Sequence, residues 1–340
     1  MKDMTIIICS YNYDRFIRET IESALVQEPE RTRVVVIDDG STDQSRDIIE
    51  SFGDRITAVF KQNEGQASAY NQWLALADTE YLIYLDSDDV LYDGAVKRVL
   101  DAFDSGGYAK VQFTLDVIAQ DGSHTGAHVP NSQPPADCGK LLRSGWLYPS
   151  PPASGNAYRV SALRKILPIP LGSGRHIAAD FFAIYGIALV GAVYSIEAPL
   201  GGYRVHRSLV TDAGGKTQVG LSIANCQDVN DVVSEFPQRW NALRELIKKR
   251  LGEALPEQIV DFSYEKARLC AQVYEAPISK RWHWFMFESG RYFHSVFGNP
   301  FWSTGKKLGA VALTAICLFP SRRLSDYAIR YIANPLARRA

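Results

Sequence analysis

Cysteine is scarce and unpaired in this sequence, and the charges almost balance. The five cysteines of the 340-residue chain stand singly, without a Cys-x-x-Cys pair, which argues against zinc or dithiol redox chemistry. Widely spaced single cysteines are typical of a reducing compartment. The formal net charge of −1 argues against nucleic-acid binding by the chain as a whole. We therefore expect a cytoplasmic protein without a nucleic-acid partner.

Long apolar runs are also missing. No basic segment followed by an apolar stretch stands near residue 1, so a secretory signal is not expected. The longest apolar run of the C-terminal part, residues 308–319, is interrupted by Gly309 and Thr314. It is shorter than the roughly 20 residues that span a bilayer. Hydrophobic residues make up 46% and charged residues 22%, as in an ordinary soluble globular protein.

The first hundred residues alternate apolar runs with helical patterns. The runs predict strands at residues 5–10, 33–37, 56–60 and 81–85, with helices between them over 14–27, 43–52 and 66–77. This alternation predicts an α/β fold with a mainly parallel sheet sandwiched by helices. In such a sheet, the polar residues that follow the strands lie at the edge where ligands bind.

The later part of the chain is less regular. Residues 178–189 look helical, residues 192–196 are a strand candidate, and long helical patterns dominate after about residue 220. We predict a nucleotide-binding and catalytic domain over residues 1–220 and a C-terminal helical extension over residues 221–340.

The most informative feature is an apolar strand that ends in the carboxylates Asp86, Asp88 and Asp89. Burying like charges together is costly unless a cation compensates them. Asp86 and Asp88 are two residues apart and so point to the same side of a strand end. Such oxygen ligands suit Mg²⁺ or Mn²⁺ bound to diphosphate oxygens. The alternative is a pair of first-turn acids capping a helix that begins near Tyr92.

A second acidic strand end, Asp38-Asp39-Gly40-Ser41, stands in the same half of the sequence. A carboxylate at a strand end can bind polar groups of a ribose or a base. The alternative is an Asx-turn that caps the helix from Asp43. Two such motifs at one predicted edge favour a ligand site.

Four segments then carry a family resemblance. They are Thr-Ile-Ile-Ile-Cys-Ser-Tyr-Asn (5–12), Ile-Asp-Asp-Gly-Ser-Thr-Asp (37–43), Asn-Glu-Gly-Gln-Ala-Ser-Ala-Tyr-Asn (63–71) and Tyr-Leu-Asp-Ser-Asp-Asp (84–89). In this order and spacing they resemble the family 2 glycosyltransferases, which are inverting enzymes with the GT-A fold. Weaker similarity at 154–159, 177–180 and 203–206 extends the resemblance over about residues 4–210.

The resemblance implies a nucleotide-sugar donor, a Mn²⁺ or Mg²⁺ cofactor, and transfer to a hydroxyl of a glycan or lipid-linked glycan. The donor is expected to be a UDP-sugar. Ser10 and Tyr11 would border the base, and Asp39 would contact uracil or ribose. Asp86 and Asp88 would hold the metal at the diphosphate. The motif residues that complete the predicted substrate site are Asn12, Gly65 and Tyr70. Tyr70 stands where many relatives have an arginine, and its ring could stack on a ligand or simply pack within the protein.

Three predicted site residues come from beyond the four segments. Asp180 matches the catalytic base of inverting relatives, although Ala179 replaces the usual glutamate before it. A carboxylate there would take the proton of the acceptor hydroxyl; the alternative is an N-cap for a helix that begins at Phe181. His206 would complete the metal shell or be structural. Arg204 would pair with phosphate or form a surface ion pair.

Asn156 would shape the sugar or acceptor pocket, or simply belong to a turn. It follows a glycine and precedes a helix-like segment.

The C-terminal tail differs electrically from the rest of the chain. Residues 280–340 contain ten Lys and Arg against two acidic residues, a formal balance of +8, and aromatics interleave with the cations. This combination suits peripheral contact with an anionic membrane, at its inner face in a cytoplasmic protein. A helical subdomain with an aromatic core and solvated charges explains the pattern equally well.

Two other functions are alternatives. A nucleotidyltransferase is disfavoured, because residues 10–15 are not the Gly-rich basic loop of that class. A non-catalytic sugar-nucleotide-binding assembly subunit is left open by Ala179 and Tyr70.

Overall fold

The computed structural model describes residues 2–135, 137–170, 178–206, 209–211, 217–219 and 229–333. The chain divides into two compact units. Unit 1 comprises Met1–Ile118, His128–Arg204 and Asn241–Glu257, and unit 2 comprises Ala119–Ala127, Val205–Trp240 and Gln258–Ala340. The domain boundary at residue 220 stays a prediction.

The described strands and helices follow the predicted alternation in the first hundred residues. The strands are β1 (Met4–Ser10), β2 (Thr32–Asp38), β3 (Thr57–Phe60), β4 (Tyr81–Asp86), β5 (Val90–Leu91), β6 (Lys110–Ile118), β7 (His124–Val129), β8 (Asn156–Arg159), β9 (Val193–Arg204), β10 (Leu209–Thr211) and β11 (Thr217–Val219). The helices are α1 (Ile17–Leu25), α2 (Ser45–Glu50), α3 (Gln66–Leu76), α4 (Ala95–Asp104), α5 (Cys138–Arg143), α6 (Val160–Ile166), α7 (Ala179–Gly186), α8 (Val229–Leu251), α9 (Phe262–Val273), α10 (Ile278–His283), α11 (Gly290–Phe297), α12 (Thr304–Ile316) and α13 (Arg322–Ala333). A π-helical turn, Trp284–Glu288, joins α10 to α11.

The central sheet has the strand order β3-β2-β1-β4-β8-β6-β9-β5. Strands β3, β2, β1 and β4 are parallel neighbours, as predicted. Strand β8 is antiparallel to both β4 and β6, so the second half of the sheet is mixed. Ile6, Ile7 and Ile8 have no exposed surface, because helices cover both faces of this part of the sheet.

Strand β9 is longer than the segment predicted at residues 192–196. It pairs in parallel with β6 through register shifts near Thr114 and continues to Arg204. Proline and glycine in residues 199–202 hid this extension from a pattern analysis. A Cβ at Gly201 would lie 2.5 Å from the carbonyl oxygen of Val90, so glycine is what permits β5 to approach β9.

Unit 2 has its own core. Leu269 and Val273 of α9, Val296 of α11, and Ile329 and Ile332 of α13 lie in one buried cluster. In the described ranges, no helix has the length and apolarity needed to cross a bilayer. The cysteines that the structure describes are free thiols, and Cys226 lies outside the described residues.

Candidate active site

The register of the sheet gathers the predicted strand-end residues at one edge. Ser10 at the end of β1 pairs with Asp38 at the end of β2, and Cys9 pairs with Asp86 at the end of β4. Because the three strands are parallel, their carboxyl ends lie side by side. The structure thus brings together the first, second and fourth of the sequence motifs.

Asp39 organises the loop that follows β3. Its carboxylate accepts hydrogen bonds from Lys61 Nζ at 2.5 Å, from the Glu64 backbone at 3.1 Å and from the Gly65 backbone at 2.8 Å. Gly65 has a φ of +87°, which glycine adopts without strain. Lys61 lies outside the four sequence motifs, although a lone cation just beyond an apolar strand is a usable signal.

Asp38 has a different environment from its neighbour. Its Oδ2 accepts from the Ser41 backbone, three residues on, at 3.0 Å, while its buried Oδ1 has no hydrogen-bond partner among the described residues. Asp38 lines a pocket of about 330 Å³ together with Gly40, Ser41, Arg46, Phe60, Lys61 and Gln62. A buried acceptor without a donor is costly, so this oxygen suits an N–H or O–H of a ligand.

Asn12 joins the loops after β1 and β2. Its backbone has a φ of +58°, its Oδ1 accepts from the Thr42 backbone at 2.8 Å, and its N–H donates to Ser41 Oγ at 2.9 Å. Neighbouring Tyr11 is 45% exposed, so its ring is accessible to a ligand.

Tyr70 packs within unit 1. Its ring is 1% exposed and stacks on Tyr84, with centroids 3.6 Å apart and an interplanar angle of 5°. Burial holds the pKa of the Tyr70 hydroxyl well above its usual value, and the charges of Asp86 and Asp180 add to the rise. The packing interpretation of Tyr70 is therefore the one that this structure displays.

Asp86 and Asp180 lie within electrostatic reach of each other. Burial holds the pKa of Asp86 well above its usual value, and the charges of Asp88 and Asp180 raise it further. The Oδ1 of Asp86 accepts one hydrogen bond, from Gln66 Nε2 at 3.4 Å. Asp180 stands in the first turn of α7, whose N-cap position is Ala178. The structure thus brings the predicted base to the acidic strand end from 94 positions further along the chain.

Asp89, whose simplest expected role is to cap the following helix, anchors the acidic turn instead, because β5 follows it and α4 begins only at Ala95. It has no exposed surface, and its Oδ1 accepts from the Arg204 backbone at 2.8 Å. Arg204 Nε donates to the Asp88 carbonyl at 2.7 Å, and Nη2 donates to Glu19 at 2.8 Å. Arg204 is 1% exposed and thus supports the turn from within the protein. A phosphate contact for Arg204 stays a prediction.

Asn156 holds the loop that precedes it. Its Nδ2 donates to the carbonyls of Pro152 at 2.7 Å and Pro151 at 3.2 Å, and its Oδ1 accepts from Ser150 Oγ at 3.1 Å. The side chain has no exposed surface. Asn156 therefore shapes the loop that carries Ser154, and a direct substrate contact stays a prediction.

Lys110, which the sequence analysis did not single out, lies fully buried at the start of β6. Its Nζ donates to Ser150 Oγ at 3.0 Å and to the Tyr148 hydroxyl at 3.4 Å. That hydroxyl donates in turn to the carbonyl of Ile184 in α7, the helix that carries Asp180. Burial lowers the pKa of Lys110 to about 7, against the opposing effects of Cys138 and Asp180. A lysine at the head of an apolar strand was the only sequence signal.

The carboxylates at the end of β4 are of the kind that binds a divalent cation. Asp86 is a half-buried carboxylate with carboxylate neighbours, and a cation would offset that concentration of negative charge. Within the described ranges, no group of three or more His, Cys, Asp or Glu side chains is arranged as a metal site. Two protein carboxylates and the oxygens of a phosphorylated ligand would together supply a shell. His206, just past the end of β9, stays a predicted ligand.

Comparison with known proteins agrees with this geometry. Residues 5–167 match the model of the family described as Glycosyl transferase family 2. The chain is 34% identical over 244 residues to an uncharacterised glycosyltransferase of Nostoc sp., covering 67% of this chain and 74% of that protein. It is 32% identical over 123 residues to the succinoglycan biosynthesis protein ExoO of Rhizobium meliloti, covering 35% of each chain.

Among solved structures, residues 1–349 of TarS of S. aureus in complex with UDP-GlcNAc superpose with a TM-score of 0.52 at 16% identity. The match covers 98% of this chain and 90% of that one, and at this identity it concerns the fold. The predicted GT-A fold and glycosyltransferase activity are confirmed. The chain therefore belongs to glycosyl transferase family 2.

Proposed function

We propose that this glycosyltransferase moves a sugar from a nucleotide diphosphate sugar to a hydroxyl of a glycan or lipid-linked glycan, with inversion at the anomeric carbon. The observation that carries the proposal is the proximity of Asp86 and Asp180, because each has a separate task in such a transfer. One lies at the strand end suited to the donor diphosphate, and the other begins a helix beside it.

Asp180 is the proposed general base. Its carboxylate takes the proton of the acceptor hydroxyl as that oxygen attacks the anomeric carbon from the face opposite the leaving diphosphate. Lys110 and Tyr148 support the helix that carries it, through the hydrogen bond to Ile184. The position before the base, Ala179, has no exposed surface and adds no second carboxylate.

Asp86 and Asp88 are the proposed ligands of Mg²⁺ or Mn²⁺, with His206 as a third. When bound, such an ion neutralises the charge that builds on the leaving diphosphate. The negative cluster around Asp86 supports this assignment, since a cation relieves its mutual repulsion. Arg204 and Asp89 keep the turn between β4 and β5 in shape.

The proposed nucleotide pocket lies at the ends of β2 and β3. The unpartnered oxygen of Asp38 and the exposed ring of Tyr11 offer a polar and an aromatic contact for a base. Asp39, through Lys61 and Gly65, sets the position of the loop that borders the pocket. We take a UDP-sugar as the donor, in line with the sequence resemblance and with the UDP-GlcNAc bound by TarS.

The proposed acceptor is a growing polysaccharide, carried on a lipid. ExoO, a relative over about a third of the chain, is named for succinoglycan biosynthesis. The basic, aromatic segment 280–340 provides the proposed peripheral contact with the membrane in which a lipid-linked glycan resides.

The test measures donor binding and transfer separately. UDP binding with Mn²⁺ is followed by calorimetry, and sugar transfer or donor hydrolysis by UDP release, for wild type, Asp88→Asn and Asp180→Asn. We expect Asp88→Asn to lose Mn²⁺-dependent UDP binding. Asp180→Asn should keep binding and lose transfer by about 10²–10⁴-fold.

The matched control is Asp101→Asn, an exposed carboxylate paired with Lys97 on α4. It should leave both quantities unchanged. UDP binding without release or transfer, across a panel of UDP-sugars and glycan acceptors, would overturn the catalytic proposal. It would favour a sugar-nucleotide-binding subunit of an assembly.

A further inference from the structure

Helix α12 is apolar on two opposite sides. On its inner side Val311 and Leu313 pack against the buried cluster of unit 2. Beside them, Thr314 has no exposed surface and shares a 2.8 Å hydrogen bond with the Tyr292 hydroxyl. At 3.6 residues per turn, Leu308, Ala312 and Ile316 follow one another on the side away from Thr314. Leu308 is 61% exposed and Ile316 is 36% exposed. A helix that is apolar all round is normally covered on every side.

The neighbouring chain extends this surface. Three contacts within unit 2 set α12 antiparallel to α10 and α11: Arg281 Nη1 to the Cys317 carbonyl at 3.4 Å, Tyr292 to Thr314, and Lys307 Nζ to the Phe297 carbonyl at 2.8 Å. Phe297, 55% exposed, thus lies beside the first turn of α12, and Phe319, 57% exposed, follows its last turn. We name Phe297, Leu308, Ala312, Ile316 and Phe319 the α12 face.

Cations bracket the α12 face along the chain. Lys306 and Lys307 directly precede Leu308, and Arg322 and Arg323 follow Phe319 by three and four residues. Between residues 289 and 325 the sequence contains no Asp or Glu. The charged groups of this stretch are therefore all cations, and one of them, Arg322, lies 3.8 Å from the carboxylates of Glu275 and Asp326.

The charge pattern indicates which partner binds the α12 face. A second copy packed by a two-fold axis would bring the same cations towards each other, which costs electrostatic free energy. An anionic lipid surface instead attracts each cation while the interfacial layer receives the apolar side chains. The 13 residues of α12 rise about 20 Å, a length suited to a helix lying in the plane of the interface.

We propose that the α12 face docks into the interfacial layer of a bilayer that contains anionic lipid, with Lys306, Lys307, Arg322 and Arg323 at the headgroups. This names the surface for the membrane contact proposed above and rests on that part of the proposed function. It is independent of the catalytic residues, so its test measures binding and not transfer.

The experiment is flotation of the full chain with two kinds of vesicle, one of phosphatidylcholine alone and one with a third of phosphatidylglycerol. We expect binding to the anionic vesicles that weakens with added salt, and at least tenfold weaker binding to phosphatidylcholine. Leu308→Ser with Ile316→Ser should lower the affinity at least tenfold, because two exposed apolar side chains leave the interface. Arg323→Gln should lower it about fivefold.

Matched controls use exposed residues of unit 1. Val26→Ser, at a valine 61% exposed, and Lys97→Gln should bind like wild type. Circular dichroism and thermal melting show whether each variant keeps its fold. The proposal is overturned if neither vesicle binds, if the controls lose as much as the α12 variants, or if binding ignores lipid charge.

A dimer would also overturn the proposal. Its signature is a two-chain mass by light scattering that falls to one chain in the Leu308→Ser, Ile316→Ser variant, together with no vesicle binding. UDP release with a water-soluble acceptor, measured on the same samples, reports the catalytic proposal separately. Either proposal can thus fail while the other stands.

Discussion

The hydroxyl of Ser154 donates a 2.6 Å hydrogen bond to Oδ2 of Asp89, a carboxylate with no exposed surface. The same hydroxyl accepts from the backbone N–H of Asp86 at 3.0 Å. One oxygen atom therefore holds both ends of the acidic turn between β4 and β5. The position of the proposed metal ligands depends on a residue 65 positions further along the chain.

Ser154→Ala should loosen this turn. Removing the hydroxyl deprives the buried Asp89 carboxylate of one donor and the Asp86 N–H of its acceptor, at a cost of about 1–3 kcal/mol in unfolding free energy. We expect weaker Mn²⁺-dependent UDP binding as well. Urea unfolding and calorimetric titration measure the two effects. The control is Ser51→Ala, whose exposed hydroxyl donates to the Ile48 carbonyl; an equal loss there would contradict the assignment.

Asp86→Asn should stabilise the metal-free protein and remove its response to metal. The substitution replaces a half-buried carboxylate, whose charged form is disfavoured by desolvation and by Asp88 and Asp180, with a neutral amide, so we expect a gain of about 1 kcal/mol in unfolding free energy. Wild type should melt at a higher temperature with Mn²⁺ and UDP, and the variant should not. Thermal melts with and without both ligands test this. A variant that melts lower without metal and still responds to it would refute the prediction.

Asp38 and Asp39 should separate into a ligand-binding and a structural carboxylate. Asp39→Asn breaks the ion pair with Lys61, whose side chain is 11% exposed, and should cost about 3 kcal/mol of stability. Asp38→Asn keeps an acceptor for the Ser41 backbone, so stability should change by less than about 1 kcal/mol. Its UDP affinity should fall about tenfold. Urea unfolding measures the stability of each variant, and titration with UDP measures its affinity. A large stability loss in Asp38→Asn with a large affinity loss in Asp39→Asn would show that the two roles are exchanged.

Lys110→Met should change the pH dependence of stability. Burial lowers the pKa of Lys110 from its usual 10.5 to about 7 in the folded chain. Between these values the unfolded chain binds more protons, so wild-type stability rises with pH across this window. Each unit of difference between the two pKa values corresponds to about 1.4 kcal/mol of unfolding free energy. The variant has no titrating group at this position and lacks this dependence on pH.

The advantage of Lys110→Met should therefore be largest below pH 7 and shrink towards pH 10. Ser150 and Tyr148 keep their bonds to Asn156 and Ile184 in the variant. Urea unfolding at several pH values measures the difference, with Lys140→Met on the exposed side of α5 as the control. A constant difference at all pH values would contradict a lowered pKa of the buried Lys110.

The local pattern of the sequence predicted the first four long strands, because apolar β-branched runs and their polar ends are properties of adjacent residues. Strand β1 begins one residue before the predicted start, and β4 ends one residue after the predicted end. The sequence pattern predicted less where the strands that pair are far apart in the chain. The extension of β9 to Arg204 depends on glycines that admit β5, and β8 pairs antiparallel with two strands that precede it in the chain.

The sequence by itself determined the family, the acidic strand ends and the identity of the proposed base, since these rest on residue type and order. Tertiary structure decided which side chains face a ligand and which support the site. Asp38 keeps an oxygen that has no partner in the described part of the chain while Asp39 holds a loop, and Ser154, Lys110 and Arg204 support the site from buried positions. The reason is physical: a hydrogen bond between residues 22 or more positions apart leaves no periodic trace in either segment. Only the packed sheet brings such partners within bonding distance.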